Sequence, residues 1–226
     1  MNTYWAPTAA ILLILSSPIN VLANEIYVNQ AGDILALEIT QRGADNYAQL
    51  NSSGDYNNIV IRQGVHSDDS YDGDETGGHE AYWTVNGDFN IVGSYQTDEN
   101  RSSGGNPHHL ADIIDGDNNI AYHTQRGAAG HTGFIEIQGS SNTVDLDQSG
   151  NTGQKWADVY LTGNGHVVNI DQTGSQSGSA AVDLTNGGGA YNFSLTQNVT
   201  TSASSYSVTG TCVTTTGCAL TINGNN

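Results

Sequence analysis

Apolar and polar residues alternate along most of this chain with a period of two, in short runs that end on glutamine. Leu37 and Ile39 precede Gln41, Ile59 and Ile61 precede Gln63, and Val144 and Leu146 precede Gln148; Val168 and Ile170 precede Gln172, and Phe193 and Leu195 precede Gln197. An extended backbone sends successive side chains to opposite faces, so this alternation predicts strands with one buried face. A second alternating run follows each of several Gly-rich turns, as in Ala48 and Leu50, Ala81, Trp83 and Val85, Ile135 and Ile137, Ala157, Val159 and Leu161, and Ala180, Val182 and Leu184. One unit is therefore expected to be strand, turn, strand, turn. The segments SSGDYN, NGDFN, DGDNN and TGNG carry the Gly, Asn and Asp that tight reversals with positive φ require.

The runs LEITQRG, NIVIRQG, NIAYHTQRG, TVDLDQSG, VVNIDQTG and FSLTQN place Gln41, Gln63, Gln125, Gln148, Gln172 and Gln197 in one series. The first interval is 22 residues and the last three are 23, 24 and 25, while a degenerate unit, NIVGSYQ, adds Gln96 at intervals of 33 and 29. Drift of one residue at a time is absorbed by loops, and a period in this range predicts a stacked solenoid. The expected fold is all-β, a β-solenoid of strand-turn-strand repeats forming two facing sheets. It would occupy residues 36–226, behind a short N-terminal segment at 24–35, with insertions at 65–79 and 97–109.

Fixed phase with the aliphatic positions gives the glutamines a structural meaning. A buried amide is costly unless both its donor and its acceptor are paired. Stacked one rung above another, the Gln side chains can bond along the axis, and Asn57, Asn90, Asn119 and Asn142, each six positions before a Gln, can do the same at the turn. No rung closes such a core alone, so the end rungs would present unpaired strand edges that accept another copy.

Composition restricts the partners. The 226 residues hold 5 Lys and Arg against 23 Asp and Glu, a formal net charge of −18. A polyanion must be met by clustered cations, so nucleic acid and anionic membranes are poor candidates. The apolar run Ala9 to Leu15 and the tripeptide Val21-Leu22-Ala23 read as a secretory leader over residues 1–23, cleaved before Asn24. That run is too short to span a bilayer, so no membrane insertion is expected.

In an exported chain the only two cysteines, Cys212 and Cys218, are expected to form a disulfide that staples the last rung. Within the first insertion Asp68, Asp72, Asp74 and Glu75 surround Gly73 with hard oxygen ligands, a weak calcium candidate without EF-hand spacing, against which stands a solvated acidic loop. His66, His79, His108 and His109 flank the insertions and could take zinc or copper, but loop histidines are more often exposed spacers, and no metal or cofactor is expected. Asp145, Asp147, Asp158, Asp171 and Asp183 alternate so as to face outward in an acidic row with no Lys or Arg partner. Catalytic carboxylates need environments that separate their pKa values, so no enzymatic activity is expected.

The run QRGADNYAQL, with Gln41, Gly43, Asn46 and Ala48, resembles the Gln-x-Gly-x-x-Asn-x-Ala core of curlin repeats, the repeats of curli amyloid subunits. DYNNIVIRQG, DNNIAYHTQRG, SSNTVDLDQSG and GHVVNIDQTG resemble the Asn-to-Gln half of the same repeat, so the likeness spans most of Asp33 to Asn198. The resemblance implies a bacterial subunit exported by the outer-membrane curli machinery and polymerised at the cell surface in adhesion and biofilm matrix, by self-association or with other curli-like subunits. The uneven insertions point to a minor or nucleating subunit as readily as to the bulk one. A non-polymerising secreted solenoid adhesin or ligand-binding protein is the alternative.

Overall fold

The computed structural model describes residues 24–33, 35–64, 77–97, 106–185, 189–210, 212 and 216–225. They form sixteen strands and, among the described residues, no helix. One sheet holds β1 (Glu25–Ala31), β3 (Tyr47–Ser53), β5 (Glu80–Asn86), β7 (His109–Asp115), β9 (Thr132–Gln138), β11 (Lys155–Asp158), β13 (Gly178–Asp183) and β15 (Ser204–Thr209) in that spatial order. The other holds β2 (Ala36–Gln41), β4 (Asn58–Gln63), β6 (Ile91–Thr97), β8 (Ile120–Arg126), β10 (Thr143–Ser149), β12 (Val167–Thr173), β14 (Tyr191–Asn198) and β16 (Cys218–Asn225) in the same progression. The chain thus winds as an all-β solenoid of eight two-strand rungs, with every pairing between rungs parallel.

Parallel register stacks like on like. Ile39, Ile61, Ser94, His123, Leu146, Ile170, Leu195 and Ile222 share one column, and Gln41, Gln63, Gln96, Gln125, Gln148, Gln172 and Gln197 share another. The inward residues of both sheets meet in a single core that includes Trp83, Phe193 and Ile137. Each fully buried aliphatic side chain contributes roughly 1.5–3 kcal/mol. Only neighbours above and below complete that burial. Ala48 and Ile61 inside the stack are wholly buried, whereas Tyr206, Val208 and Ile222 in the last rung pack against the core and stay partly exposed.

Segment 24–35 is more than a lead-in. Its residues Ile26 and Val28 alternate inward, pair with Ala48 and Leu50, and complete the first rung. Similarly, β6 runs to Thr97 and β7 starts at His109, so the second insertion is shorter than its 97–109 span. The Gln of each of rungs two to five lies sixteen residues after the first residue of its own rung. Both long insertions consequently fall at one corner of the coil, between a Gln and the next rung.

At the opposite corner the turn repeats as Gly-Asp-x-Asn, and its x position includes Tyr56 (φ 59°) and Phe89 (φ 58°), large residues in the left-handed region. Their rings stack 5.0 Å apart and nearly parallel, which offsets part of the backbone cost. Gly87 (φ 115°) opens one such turn, and a Cβ there would overlap the carbonyl of Gly116 in the next rung. Gly87→Ala is expected to destabilise the chain by at least about 2 kcal/mol, read as a lowered urea midpoint, since strain and clash add.

Candidate functional site

Three hydrogen-bonded columns of buried polar side chains run along the axis in the walls of the core, and a fourth, Asp55, Asp88, Asp117, Ser140 and Asn164, runs along the exposed turn, each side chain accepting the backbone N–H of the preceding rung. The first is the glutamine column. Gln41 Nε2 donates to Gln63 Oε1 at 2.8 Å, and the pattern repeats from Gln63 to Gln96 (3.0 Å), Gln125 (3.0 Å), Gln148 (3.0 Å), Gln172 (2.9 Å) and Gln197 (2.8 Å). From Gln41 to Gln148 each Nε2 also donates to the carbonyl that opens its own rung, such as Tyr47 O for Gln63 and His109 O for Gln125, while Gln172 and Gln197 reach the second residue of theirs, Trp156 and Ser179. The amide both closes its rung and bonds the rungs together.

The second column is the asparagine series at the turn. Asn57 Oδ1 accepts the backbone N–H of Asn90 at 2.9 Å while Asn57 Nδ2 donates to Gly87 O at 2.8 Å, and Asn90, Asn119 and Asn142 repeat the pattern. His166 continues it in the next rung. Its Nδ1 accepts the Tyr191 N–H at 3.0 Å and its Nε2 lies 3.1 Å from Thr162 O, so the imidazole reproduces the acceptor and donor of the amide.

A third column, at the insertion corner, runs through Asn24, Asn46, His79, His108, His131 and Lys155, each at the entry to the first strand of its rung. Asn24 Oδ1 accepts the Asn46 N–H, Asn46 Oδ1 the His79 N–H, His79 Nδ1 the His108 N–H, His108 Nδ1 the His131 N–H and His131 Nδ1 the Lys155 N–H, all at 2.9–3.2 Å. The Nε2 atoms of His108 and His131 face the carbonyls of Thr97 and Arg126 at 3.2 and 3.0 Å. Because Nδ1 accepts, these rings are the neutral Nε2–H tautomer. Burial holds His108 well below the ordinary histidine range, with neighbouring His79 and His131 adding to it, and burial lowers His131 to about 4. Lys155, the only lysine, ends the column wholly buried, its ammonium donating to the carbonyls of Gly153, Gly174 and Gln176 at 2.7–2.9 Å; burial lowers its pKa to about 8.

His79 and His108 therefore do not act as exposed loop spacers. They are completely buried and stacked, with ring centroids 5.1 Å apart. His109, in contrast, faces outward and meets Glu80 at 3.1 Å. Among the described residues no group of three or more His, Cys, Asp or Glu could hold a metal ion. The calcium candidates Asp68, Asp72, Asp74 and Glu75, like His66 and the leader at 1–23, lie outside the described residues.

The outward aspartates divide between two faces instead of forming one row. Asp145, Asp147 and Asp171 share the outer face of the sheet containing β10 and β12, while Asp158 and Asp183 lie on the other sheet. Nor are they without a cation, because parallel stacking brings Arg126 of β8 to 2.5 Å from Asp147. Partial burial, and then the charge of Asp147, push Asp145 and Asp171 upward.

One buried ionisable pair breaks the apolar alternation. Asp112 and His123 point inward from facing sheets, 3.6 Å apart and sealed from solvent, in a space kept open because Gly133 lacks a Cβ. Burial raises Asp112. Cys212 and Cys218 are joined, with Cα atoms 5.7 Å apart. Cys218 stands in the same register column as His166 and Tyr191, so the staple lies at the last place of that column, two rungs beyond His166, where the hydrogen-bonded series ends.

No family model, no curated protein and no solved structure matches this chain.

Proposed function

We propose that this chain is a subunit of an extracellular, curli-like amyloid fibre serving adhesion and biofilm matrix, either as a structural component or as a minor or nucleating one. The observation that carries the reading is the combination of in-register parallel stacking with axial amide columns. Such a lattice has no intrinsic length: a rung bonds to a neighbour with matching polar groups in the same way whether that neighbour belongs to the same chain or another. The outer edges of β1, β2, β15 and β16 pair with no described strand, and unprotected edges of this kind template further strands. The resemblance to curlin repeats supplies the biological setting, including a cleaved leader and passage through the outer-membrane curli machinery.

Incubating the purified mature chain alone, and at substoichiometric dose with a curli major subunit, tests the proposal. Amyloid-dye fluorescence together with a meridional reflection at about 4.7–4.8 Å is expected, with a shortened lag for the major subunit. A chain that stays monomeric and leaves the other protein's lag unchanged contradicts it.

A second reading, a monomeric solenoid adhesin, draws on one surface feature. Beside Trp156, which is half-exposed and held by a 3.1 Å bond from its Nε1 to Asp158, lies an open groove of about 350 Å³ lined by Gln154, Ser179, Ala203, Ser204 and Ser205. Monomeric binding to cells that disappears in Trp156→Ala would favour that reading.

A further inference from the structure

The two ends of the glutamine column are chemically unlike. Throughout the column the Nε2 of an earlier rung donates to the Oε1 of the next, so the column is polar. At its start Gln41 uses its Nε2 on Gln63 and on Glu25 O, but its Oε1 is enclosed without any hydrogen-bond partner, in a residue only 7% exposed. A buried acceptor left unpaired is costly, and one that repeats an otherwise unbroken pattern defines its missing donor. That donor is a side-chain amide one rung ahead of β2.

The other end offers no such group. Gln197 Nε2 is consumed within the chain by Ser204 O and Oγ at 3.0 and 2.8 Å. In β16 the register position of the glutamine is Gly224, and a Cβ there would overlap the Tyr206 hydroxyl, which fills the place of the amide. The asparagine and imidazole acceptors that earlier rungs offer to the next backbone N–H likewise stop short of this end: His166 is the last of them, and Tyr191 and then Cys218, tied to Cys212, follow in its column.

We infer that the β1–β2 end is a docking site for the final rung of a different β-solenoid chain, one that carries a glutamine in register to donate to Gln41 Oε1. A second copy of this chain lacks that glutamine. The inference rests on the fibre reading and deepens it: the chain adds by its first rung to a glutamine-terminated partner and leaves an end without a column. It behaves as a terminating subunit of a mixed fibre.

The gain of function is testable within this chain. Tyr206→Ala with Gly224→Gln clears the hydroxyl and supplies the missing amide, so copies can join head to tail. Sedimentation of the mature chain should show the double variant assembling at about a tenfold lower concentration than the native chain, the value of one buried hydrogen bond. Adding Gln41→Leu should cancel the gain, and circular dichroism and urea midpoints identify any variant that has lost its fold. Equal assembly of the native chain and the double variant overturns the inference while leaving the fibre reading intact, as does a gain that survives Gln41→Leu. Folded chains that assemble in no arm overturn both.

Discussion

Replacing Gln125 with leucine is expected to destabilise the chain by about 3–5 kcal/mol, although the two side chains are similar in size. The substitution removes the acceptor for Gln96 Nε2 and the donor for Gln148 Oε1, and it strips His109 O of its bond to the amide. Each buried polar group left unpaired costs about 1–3 kcal/mol, against a total stability of about 5–15 kcal/mol for a typical domain. The control is Gln138→Leu on the outer face, where an exposed amide bonds only to neighbouring Glu136 and a change within about 0.5 kcal/mol is expected. Urea midpoints at matched slope measure both. If the two variants shift alike, the column contributes no special stability.

Acidification produces the second large effect. His108 and His131 are bound in the neutral form, and protonation at Nδ1 would set an N–H against the N–H of the next rung. Their folded pKa values are lowered, so the unfolded chain binds more protons and stability rises with pH. For His131 the contribution is fully present above the ordinary value of 6.5 and is lost as pH falls toward about 4. At 1.36 kcal/mol per pKa unit it amounts to about 3 kcal/mol. Asp112, Asp145 and Asp171 oppose this, since burial raises them and protonation favours their folded forms. The imidazole contribution is isolated by the pair His108→Asn and His131→Asn, because asparagine holds the same column at Asn46. Little change at pH 8 and a markedly flatter decline in stability between pH 6.5 and 4.5 are expected. An unchanged decline would show that the buried rings do not govern it.

The same columns explain what could and could not be read from the amino-acid order. Gln41 to Gln197 stand out because one residue type recurs in phase with aliphatic neighbours, and Asn57, Asn90, Asn119 and Asn142 follow at a constant offset. The series at the insertion corner hides because its chemistry changes along the axis, from Asn46 to His79 to Lys155, while its geometric task stays the same. A constant count backward from each glutamine was the available signal, and the variable insertions just before these residues obscure it. His166 was hidden for a related reason: an imidazole does the work of an amide there. Asp112 and His123 sit at inward positions where the alternation calls for apolar residues, so β7 and β8 look weaker in sequence than they are in the sheet. Proximity across parallel strands, as between Arg126 and Asp147, follows only once the register is fixed.

The mass per unit length of fibres, measured by scanning transmission electron microscopy, tests the central claim most directly. It applies both to fibres of the native chain at high concentration and to those of the Tyr206→Ala/Gly224→Gln variant. Eight rungs at a strand spacing of about 4.8 Å make each chain about 38 Å long on the axis, which for 23.7 kDa gives about 0.6 kDa per Å, slightly less without the leader. A value near that figure means that chains stack end to end as intact solenoids. A value of about 5 kDa per Å, one whole chain for every strand spacing, would mean that the chain unwinds into a flat in-register amyloid, and would contradict it.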